Sequence, residues 1–424
     1  MRKYIMIRLL LLFVPGLMIG CTTRSATTII GSAATVNDNA VVKEQKGNER
    51  KVVILSLDGF RADYLDKART PNLDSIASVG VSGRLRPSFP TLTFPNHYSM
   101  VTGLYPNHHG LVANSFFDKK LGRYSIGDRQ SVERGDFYHG EPIWATAGRQ
   151  GIRSASFFWV GSEAAIGGKR PDYWMQYNSK ISPLTRIDSV IHWLSMPQET
   201  APGIILWYIE EPDYTGHTYS PDSRQAIEKV EQMDKVVGEM LARLRKLPNR
   251  DQIDFLIVSD HGMATYTPEQ SINLAQWLDE KDFEYIVDGV PAILYPLPGK
   301  VDKVMKQLEQ VPHVKVYRKA DIPDRLHYGS NPRIGEIVLI PDIGTYIYFS
   351  TNPTFVTGGA HGYDNAHPEM LALFAAFGPD FPNAHRIEQP IPNITIYPLL
   401  CRLLGITPAP HDAKEQDVER ILQP

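Results

Sequence analysis

Cysteine is nearly absent from this sequence: only Cys21 and Cys401 occur among its 424 residues. A fold that depends on a framework of several disulfides is therefore excluded. A chain of this length can bury a core large enough to be stable without cross-links. Cys401 lies in the apolar helical pattern YPLLCRLLG, so we interpret it as a small buried hydrophobic side chain.

Runs of basic residues are also missing. Lysine and arginine number 44 against 47 aspartates and glutamates, which gives a formal net charge of −3 at pH 7. A nucleic-acid-binding surface usually requires a basic stripe or cluster, and the sequence contains none. No internal repeat is visible, and no feature indicates a protein partner. We therefore expect a globular protein whose ligands are small molecules.

Only one apolar run approaches the length of a membrane span, LLLLFVPGLMIG at residues 9–20, and it follows three basic residues. It is too short, and too interrupted by proline and glycine, for a comfortable membrane span, and it predicts an exported protein with a signal peptide over residues 1–21. The stretch from Met18 to Cys21 resembles a bacterial lipobox, which predicts a lipidated Cys21 and a protein anchored at a membrane, in the periplasm or on the cell surface. The alternatives are an ordinary signal peptide cleaved elsewhere and an uncleaved anchor.

The rest of the chain divides by composition. Residues 22–49 are rich in threonine, serine, alanine and asparagine without apolar periodicity, which predicts a flexible tether. Residues 50–266 and 356–424 are expected to form one catalytic core. Residues 267–355 contain short strand-like runs, a helix-like segment and many prolines, and are expected to form a smaller inserted α/β cap.

Four apolar runs predict strands that are buried on both faces, as in a parallel sheet: KVVILSLDGF, GIILWYIEEPD, DFLIVSDHG and MLALFAAFG. Helical patterns lie between them, and the clearest, over residues 223–247, has apolar side chains at three- and four-residue steps. Strands that alternate with helices predict an α/β fold, a mostly parallel sheet flanked by helices on both faces.

Acidic and histidine residues follow these strands. Asp58 ends the first run, Asp213 and His217 follow the second, Asp260 and His261 end the third, and His361 lies in GGAHGYDN before the fourth. Each alone is explained by a turn, a helix cap or a surface pair. Ligands of open α/β sheets bind beyond the carboxyl ends of the strands, so together the six predict a site for divalent metal. Mixed Asp/His ligation favours Zn²⁺, with Mn²⁺ and Fe²⁺ open, and there are enough ligands for two ions.

The segment SFPTLTFPNHYSM offers two possible nucleophiles, Thr91 and Thr93, just before a proline suited to the first turn of a helix. A threonine hydroxyl is a poor nucleophile at neutral pH, and coordination to a metal ion would activate it. Both threonines could face the same side of an extended segment, so periodicity does not choose between them.

Five long segments, in fixed order, resemble the nucleotide pyrophosphatase/phosphodiesterase family of the alkaline phosphatase superfamily. They are LSLDGFRADYL, FPTLTFPNHYSMVTGLYPNHHGLVANSFFD, YIEEPDYTGHTYSP, VSDHGM and GGAHGYDN, and the similarity runs from about Lys51 to about His411. The resemblance implies an alkaline-phosphatase-like fold and a phosphodiesterase that releases nucleoside 5′-monophosphates.

The resemblance also implies roles for individual residues. Two Zn²⁺ ions per subunit would be bound, one by Asp213, His217 and His361, and the other by Asp58, Asp260, His261 and the hydroxyl of Thr93. Thr93 would be the nucleophile and would pass through a phosphothreonine intermediate, whereas Thr91 would have no chemical role. Asn114 would bind a non-bridging phosphate oxygen.

The expected nucleotide pocket consists of aromatic residues that match positions in relatives: Phe94, Trp159, Tyr177 and Tyr208, with Asn114 at the phosphate. Arg61 is the only arginine in the matching segments, and we interpret it as structural, which favours diesters over more highly charged monoesters. Two alternatives remain open. One is a glycerophosphodiester- or lysophospholipid-directed phosphodiesterase on the same scaffold, and the other is a non-catalytic nucleotide-binding surface lipoprotein.

Overall fold

The structure is a computed structural model that describes residues 50–350 and 357–423. The signal peptide predicted over residues 1–21, the tether over 22–49 and the lipidation of Cys21 therefore lie outside the described residues. Within those residues, no helix combines the length and the apolar character needed to cross a bilayer.

The described residues form strands and helices whose bounds are as follows. The strands are β1 Lys51–Leu57, β2 Val81–Arg86, β3 Ser115–Asp118, β4 Gly122–Ser125, β5 Ser154–Phe157, β6 Tyr173–Met175, β7 Ile204–Ile209, β8 Ile253–Val258, β9 Ala264–Tyr266, β10 Ile272–Asn273, β11 Phe283–Val287, β12 Ala292–Pro296, β13 Val314–Arg318, β14 Ile337–Pro341, β15 Ile347–Tyr348, β16 Gly358–Ala360, β17 Ala372–Phe377, β18 His385–Arg386 and β19 Ile391–Pro392. The helices are α1 Tyr64–Lys67, α2 Pro71–Val79, α3 Thr93–Thr102, α4 Pro106–His109, α5 Arg129–Val132, α6 Ile143–Arg149, α7 Pro183–Leu194, α8 Asp213–Tyr219, α9 Arg224–Leu244, α10 Val301–Leu308, α11 Ile396–Leu404 and α12 Glu415–Leu422.

A nine-stranded sheet forms the centre of the fold, in the order β18-β2-β17-β8-β1-β7-β5-β6, with β19 also paired to β2. β1 pairs in parallel with β7 and β8, and β5 pairs in parallel with β6 and β7. The mostly parallel sheet predicted from the four apolar runs is confirmed.

Burial on both faces of the sheet explains why its central strands are apolar at every position. Val52 and Ile54 of β1 pack into one core, with side chains of α3, α6 and α11. Val53 and Leu55, which point to the opposite face, pack into a second core with side chains of α7 and α9. Helices therefore cover both faces of the sheet, as the sequence predicts.

β17 runs antiparallel to both of its neighbours, β8 and β2. Its amino-terminal end therefore lies at the edge where the parallel strands have their carboxyl ends. The segment that leads into β17 lies at the same edge of the sheet as the segments that follow β1, β7 and β8. This direction explains how His361, which comes before its strand, can approach residues that come after theirs.

A second sheet of four antiparallel strands, ordered β11-β12-β14-β13, lies within the segment expected to form a cap. Its apolar face, which includes Leu294 and Leu339, packs with Val304 and Leu308 of α10. Strand β13 was not predicted from the sequence, because its charged and apolar side chains alternate over only five residues.

Candidate active site

Three aspartates and three histidines, distant along the chain, lie together at the carboxyl edge of the central sheet. They are Asp58 after β1, Asp213 and His217 on α8, Asp260 and His261 after β8, and His361 after β16. The sequence placed all six at strand or loop ends, and the structure brings all six together.

The first half of the cluster contains Asp58, Asp260 and His261, all fully or almost fully buried. His261 Nε2 lies 3.0 Å from Asp260 Oδ2 and 3.5 Å from Asp58 Oδ1. The backbone N–H of Gly59 donates a hydrogen bond of 3.1 Å to Asp260 Oδ1. One oxygen of Asp260 is thus used to hold the turn, and the other faces the cluster.

The second half contains Asp213, His217 and His361. Nε2 of His217 lies 3.4 Å from Asp213 Oδ2 and 3.1 Å from Nε2 of His361. Nε2 of His361 lies 3.6 Å from Asp213 Oδ1. The rings of His361 and His261 are stacked with their centroids 3.6 Å apart, which joins the two halves.

Each of the three imidazoles is oriented by its other nitrogen. Nδ1 of His217 donates to the carbonyl of Gly359 at 2.8 Å, and Nδ1 of His361 donates to the carbonyl of Thr91 at 2.9 Å. Nδ1 of His261 lies 2.9 Å from the carbonyl oxygen of Gly262, the next residue. This arrangement fixes the tautomer and leaves Nε2 as an acceptor that faces the cluster, as is typical of metal-binding histidines.

Three carboxylate oxygens in the cluster are buried and accept no hydrogen bond: Oδ1 of Asp58, Oδ1 of Asp213 and Oδ2 of Asp260. A buried, unpaired carboxylate oxygen is costly, and a bound cation removes the cost. Potential ligand atoms of Asp58, Asp260 and His261 lie within 4.8 Å of one another, and so do those of Asp213, His261 and His361. The donor set therefore fits divalent metal.

Burial, together with the charges of Asp260 and Asp213, raises the pKa of Asp58 well above its usual range. Burial alone would also raise the pKa of Asp260, but the imidazoles of His261 and His97 outweigh it and hold that pKa well below its usual range. Without a cation, this concentration of acidic groups is electrostatically unfavourable, which is a second sign that the site is built for positive charge.

Thr93 begins helix α3, and its Oγ1 lies 3.2 Å from Nε2 of His261. The Thr91 hydroxyl is used elsewhere, because it donates to the carbonyl of Tyr363 at 3.1 Å and accepts from the N–H of Gly362 at 2.8 Å. Of the two threonines, Thr93 therefore has the hydroxyl that faces the metal-binding cluster.

Asn114 lies close to Thr93, because its side chain is hydrogen-bonded to Phe94, the residue that follows Thr93. Its Oδ1 accepts a 3.0 Å hydrogen bond from the backbone N–H of Phe94. This hydrogen bond fixes the orientation of the amide and leaves its Nδ2 group as the donor. An amide donor in this place suits an oxygen that carries negative charge.

The four aromatic residues expected around a nucleotide have different surroundings. Tyr177 is 41% exposed, and Phe94 is half-buried. The hydroxyl of Tyr208 donates a 2.6 Å hydrogen bond to Asp58 Oδ2. Trp159 is enclosed, and its indole N–H donates to the carbonyl of His97. Tyr177 is thus the most exposed of the four, Phe94 and Tyr208 are half-buried, and Trp159 is enclosed.

His97 is a site residue whose position the sequence did not reveal. It is fully buried, with Nδ1 2.9 Å from the carbonyl of Thr93 and 3.3 Å from Asp260 Oδ2, and with Nε2 2.8 Å from the hydroxyl of Ser56. Its one sequence signal was its place four residues after Thr93. That spacing indicates a shared helix face but does not identify a partner on another strand.

Arg61 points away from the cluster. Its guanidinium pairs with Asp63 and Asp222 and donates to the carbonyl of Met263. The arginine of the first motif is therefore committed to structural ion pairs, in agreement with its interpretation from the sequence.

Comparison with known proteins identifies the family. Residues 52–364 match the family model described as type I phosphodiesterase / nucleotide pyrophosphatase. The chain is 35% identical to human ectonucleotide pyrophosphatase/phosphodiesterase family member 5 over 88% of its length and 78% of that protein's. It is 34% identical to human family member 1, of which it spans 42%.

A solved structure of murine ectonucleotide pyrophosphatase/phosphodiesterase 5, an inactive threonine-to-alanine variant in complex with AMP, superposes with a TM-score of 0.84. It shares 34% identity and covers 88% of this chain and all of that one. The chain belongs to the type I phosphodiesterase / nucleotide pyrophosphatase family, in the alkaline phosphatase superfamily.

Proposed function

We propose that this chain is a zinc-dependent phosphodiesterase and nucleotide pyrophosphatase that releases nucleoside 5′-monophosphates. The observation that carries the proposal is the cluster of three carboxylates and three imidazoles, in which His261 contacts the hydroxyl of Thr93. The complex of a relative with AMP supports a nucleoside monophosphate as one product.

We assign two Zn²⁺ ions to this donor set, and the unpaired oxygens of Asp58, Asp213 and Asp260 support the binding of cations there. The proposed ligands of one ion are Asp213, His217 and His361, and those of the other are Asp58, Asp260, His261 and Thr93. When bound, such ions lower the pKa of a coordinated hydroxyl and stabilise developing negative charge on the oxygens of a phosphoryl group.

Thr93 is the proposed nucleophile. Its oxygen attacks phosphorus and forms a phosphothreonine ester while the leaving oxygen departs on the opposite side, and water then hydrolyses the ester. The Nδ2 group of Asn114 donates to a non-bridging oxygen, because its Oδ1 is held by Phe94 N–H. The N-terminus of α3, which begins at Thr93, adds positive potential at the same oxygens.

We further propose that the base of the nucleotide stacks on Phe94, which is half-buried, and on Tyr177, which is 41% exposed. Trp159 and Tyr208 would complete the pocket from behind. Tyr208 would then serve the site mainly through its hydrogen bond to Asp58.

Export and attachment to a membrane through a lipid on Cys21 remain part of the proposal. Radiolabelled palmitate should be incorporated into the full chain and not into a Cys21→Ser variant. Labelling of neither protein, with both of them exported, would mean that an ordinary signal peptide is cleaved instead.

The test is the hydrolysis of an aryl ester of a nucleoside 5′-monophosphate. Activity should be lost with a chelator, be restored by Zn²⁺, and be absent in Thr93→Ala. Acid quenching during turnover, followed by mass spectrometry, should find phosphate on the peptide that contains Thr93. Faster cleavage of glycerophosphodiesters or lysophospholipids than of nucleotides would favour the alternative phosphodiesterase, and an inert, metal-free protein would favour a binding function.

A further inference from the structure

A cavity of about 330 Å³ opens beside the cluster, between the core and the four-stranded sheet of β11–β14. We call it the cap cavity. Its core side includes Leu92, Asn114 and His217, and its other side includes Tyr285, Asp288 and Tyr346. The catalytic and binding roles described above involve none of the residues on this second side.

We place the leaving group of the proposed reaction in the cap cavity, for the following reason. In an in-line displacement, the leaving oxygen moves directly away from the attacking oxygen of Thr93. Thr93 lies next to His261, in the half of the cluster with Asp58 and Asp260. The cavity is lined by His217 and His361 of the other half.

The charge of the cap cavity does not suit a polyphosphate. No lysine or arginine occurs among the described residues that line it, and Asp288 contributes a carboxylate. Arg123 is close, but its guanidinium is stacked on the ring of Tyr285, 4.6 Å from the centroid, and does not line the cavity.

Asp288, Tyr285 and Tyr346 form a group of side chains that is suited to binding a cation. One carboxylate oxygen, Oδ2, accepts a 3.0 Å hydrogen bond from the N–H of Phe349, so the side chain is held in place. Tyr285 and Tyr346 line the same cavity. Burial, followed by the charge of Asp288, raises the pKa of Tyr346 to about 12, so its ring stays neutral. Aromatic faces beside a carboxylate attract cations, above all weakly hydrated ones such as quaternary ammonium groups.

We propose that the cap cavity receives the leaving half of the substrate and selects neutral or positively charged groups against polyphosphate. The selection rests on the proposed function, since it assigns a substrate class to the same reaction. It predicts that diesters with a cationic alcohol are better substrates than nucleoside triphosphates.

The test uses three compounds that share one retained half, AMP, and differ in the leaving half. They are the choline ester of AMP, the 3,3-dimethylbutyl ester, which is the uncharged isostere, and ATP. The value of kcat/KM for AMP release should be highest for choline and lowest for ATP. The choline ester should exceed its isostere by about tenfold, which is the order of one partly screened charge pair.

The variants separate charge from shape. Asp288→Asn retains an oxygen for Phe349 N–H, and it should lower the ratio of the choline ester to its isostere about tenfold relative to the unaltered protein. Asp288→Lys should raise kcat/KM for ATP about tenfold relative to the isostere. Asp321→Asn, a change of the same type at an exposed aspartate outside the cavity, should leave all ratios as they are.

Two results would overturn the assignment. If ATP is cleaved as well as the choline ester, and Asp288→Asn leaves the ratios unchanged, the cavity does not select by charge, although the phosphodiesterase proposal stands. If the uncharged isostere and an aryl ester both release no AMP, the phosphodiesterase proposal itself fails and the selection fails with it.

Discussion

The hydroxyl of Tyr208 donates a 2.6 Å hydrogen bond to Oδ2 of Asp58, a residue 150 positions earlier in the chain. The other oxygen of Asp58 is buried and unpaired. Tyr208 therefore directs one oxygen of the carboxylate away from the cluster and leaves the second for a metal ion. The pairing connects β7 with the end of β1, its parallel neighbour.

Replacing Tyr208 with phenylalanine should lower zinc affinity by about tenfold, because partners behind a metal ligand fix its orientation. Competition with a chelator at constant pH measures the change. Tyr177→Phe is the matched control, since its hydroxyl is not bonded to Asp58. Equal affinity in Tyr208→Phe and the unaltered protein would mean that the hydrogen bond has no part in holding metal.

Substitutions of Thr93 and Thr91 should have different effects, the first on turnover and the second on stability. Thr93→Ala should abolish turnover and retain both the fold and most of the bound metal, because only its hydroxyl faces the cluster. Thr91→Val should instead lower the free energy of unfolding by about 1–3 kcal/mol, because it leaves the buried N–H of Gly362 without an acceptor.

Thr91→Ser retains the hydroxyl and should restore stability, which denaturant unfolding can measure. The assignment of the nucleophile would be wrong if Thr91→Ser were inactive while Thr93→Ala still turned over substrate.

Phe94→Ala should weaken nucleotide binding with little effect on the chemical step, because its ring is proposed to stack on the base and not to touch the reacting atoms. Loss of one stacking contact is worth about 1–3 kcal/mol, so KM should rise by about tenfold or more. Titration of AMP into the Thr93→Ala protein, with and without Phe94→Ala, isolates binding from turnover. Unchanged AMP affinity would exclude Phe94 from the pocket.

Asp254 predicts a pH dependence of stability that is separate from the active site. Burial, reinforced by the neighbouring carboxylate of Asp380, raises its pKa to about 7. In the unfolded chain an aspartate titrates near pH 4, so the folded state holds a proton that the unfolded state has lost. Stability from this group is therefore complete below about pH 4 and is lost as the pH rises to about 7.

Asp254→Asn should remove that dependence and make the protein more stable than the unaltered one at pH 8. Urea unfolding at pH 5 and pH 8 tests this, with Asp251→Asn, at an exposed position, as the control. Asp254 is at the start of β8, about 20 Å from Asp260 along the strand, so kcat should not change. A parallel loss of stability in both proteins between pH 5 and pH 8 would contradict the pKa of Asp254.

Some tertiary relationships were accessible from the sequence because they follow from local rules. An apolar run buried on both faces indicates a central strand, and polar residues directly after it must lie at the carboxyl edge of a parallel sheet. Asp58, Asp260 and His261 could be placed together for that reason. The helix predicted over residues 223–247 is α9, Arg224–Leu244, since its periodicity is local as well.

Other features could not be derived from any single segment. The direction of β17, which brings His361 to the cluster, depends on pairing with β8 and β2. His97 was left as a structural residue, because nothing near it in sequence indicates its contact with Asp260, 163 positions later. The cap cavity joins Leu92, in the segment of the proposed nucleophile, to Asp288, which lies in no pattern that predicts a site.

The sequence by itself determined the elements and the chemistry: which segments are strands, which residues end them, and which side chains can bind metal or attack phosphorus. Local periodicity and side-chain type suffice for these, because they act within a few residues. Only the tertiary structure decided which threonine hydroxyl faces the cluster, which carboxylate oxygen is unpaired and which charge lines the cap cavity. Those properties are set by contacts between distant segments, as between Thr91 and Tyr363, which are 272 residues apart, and no local rule specifies them.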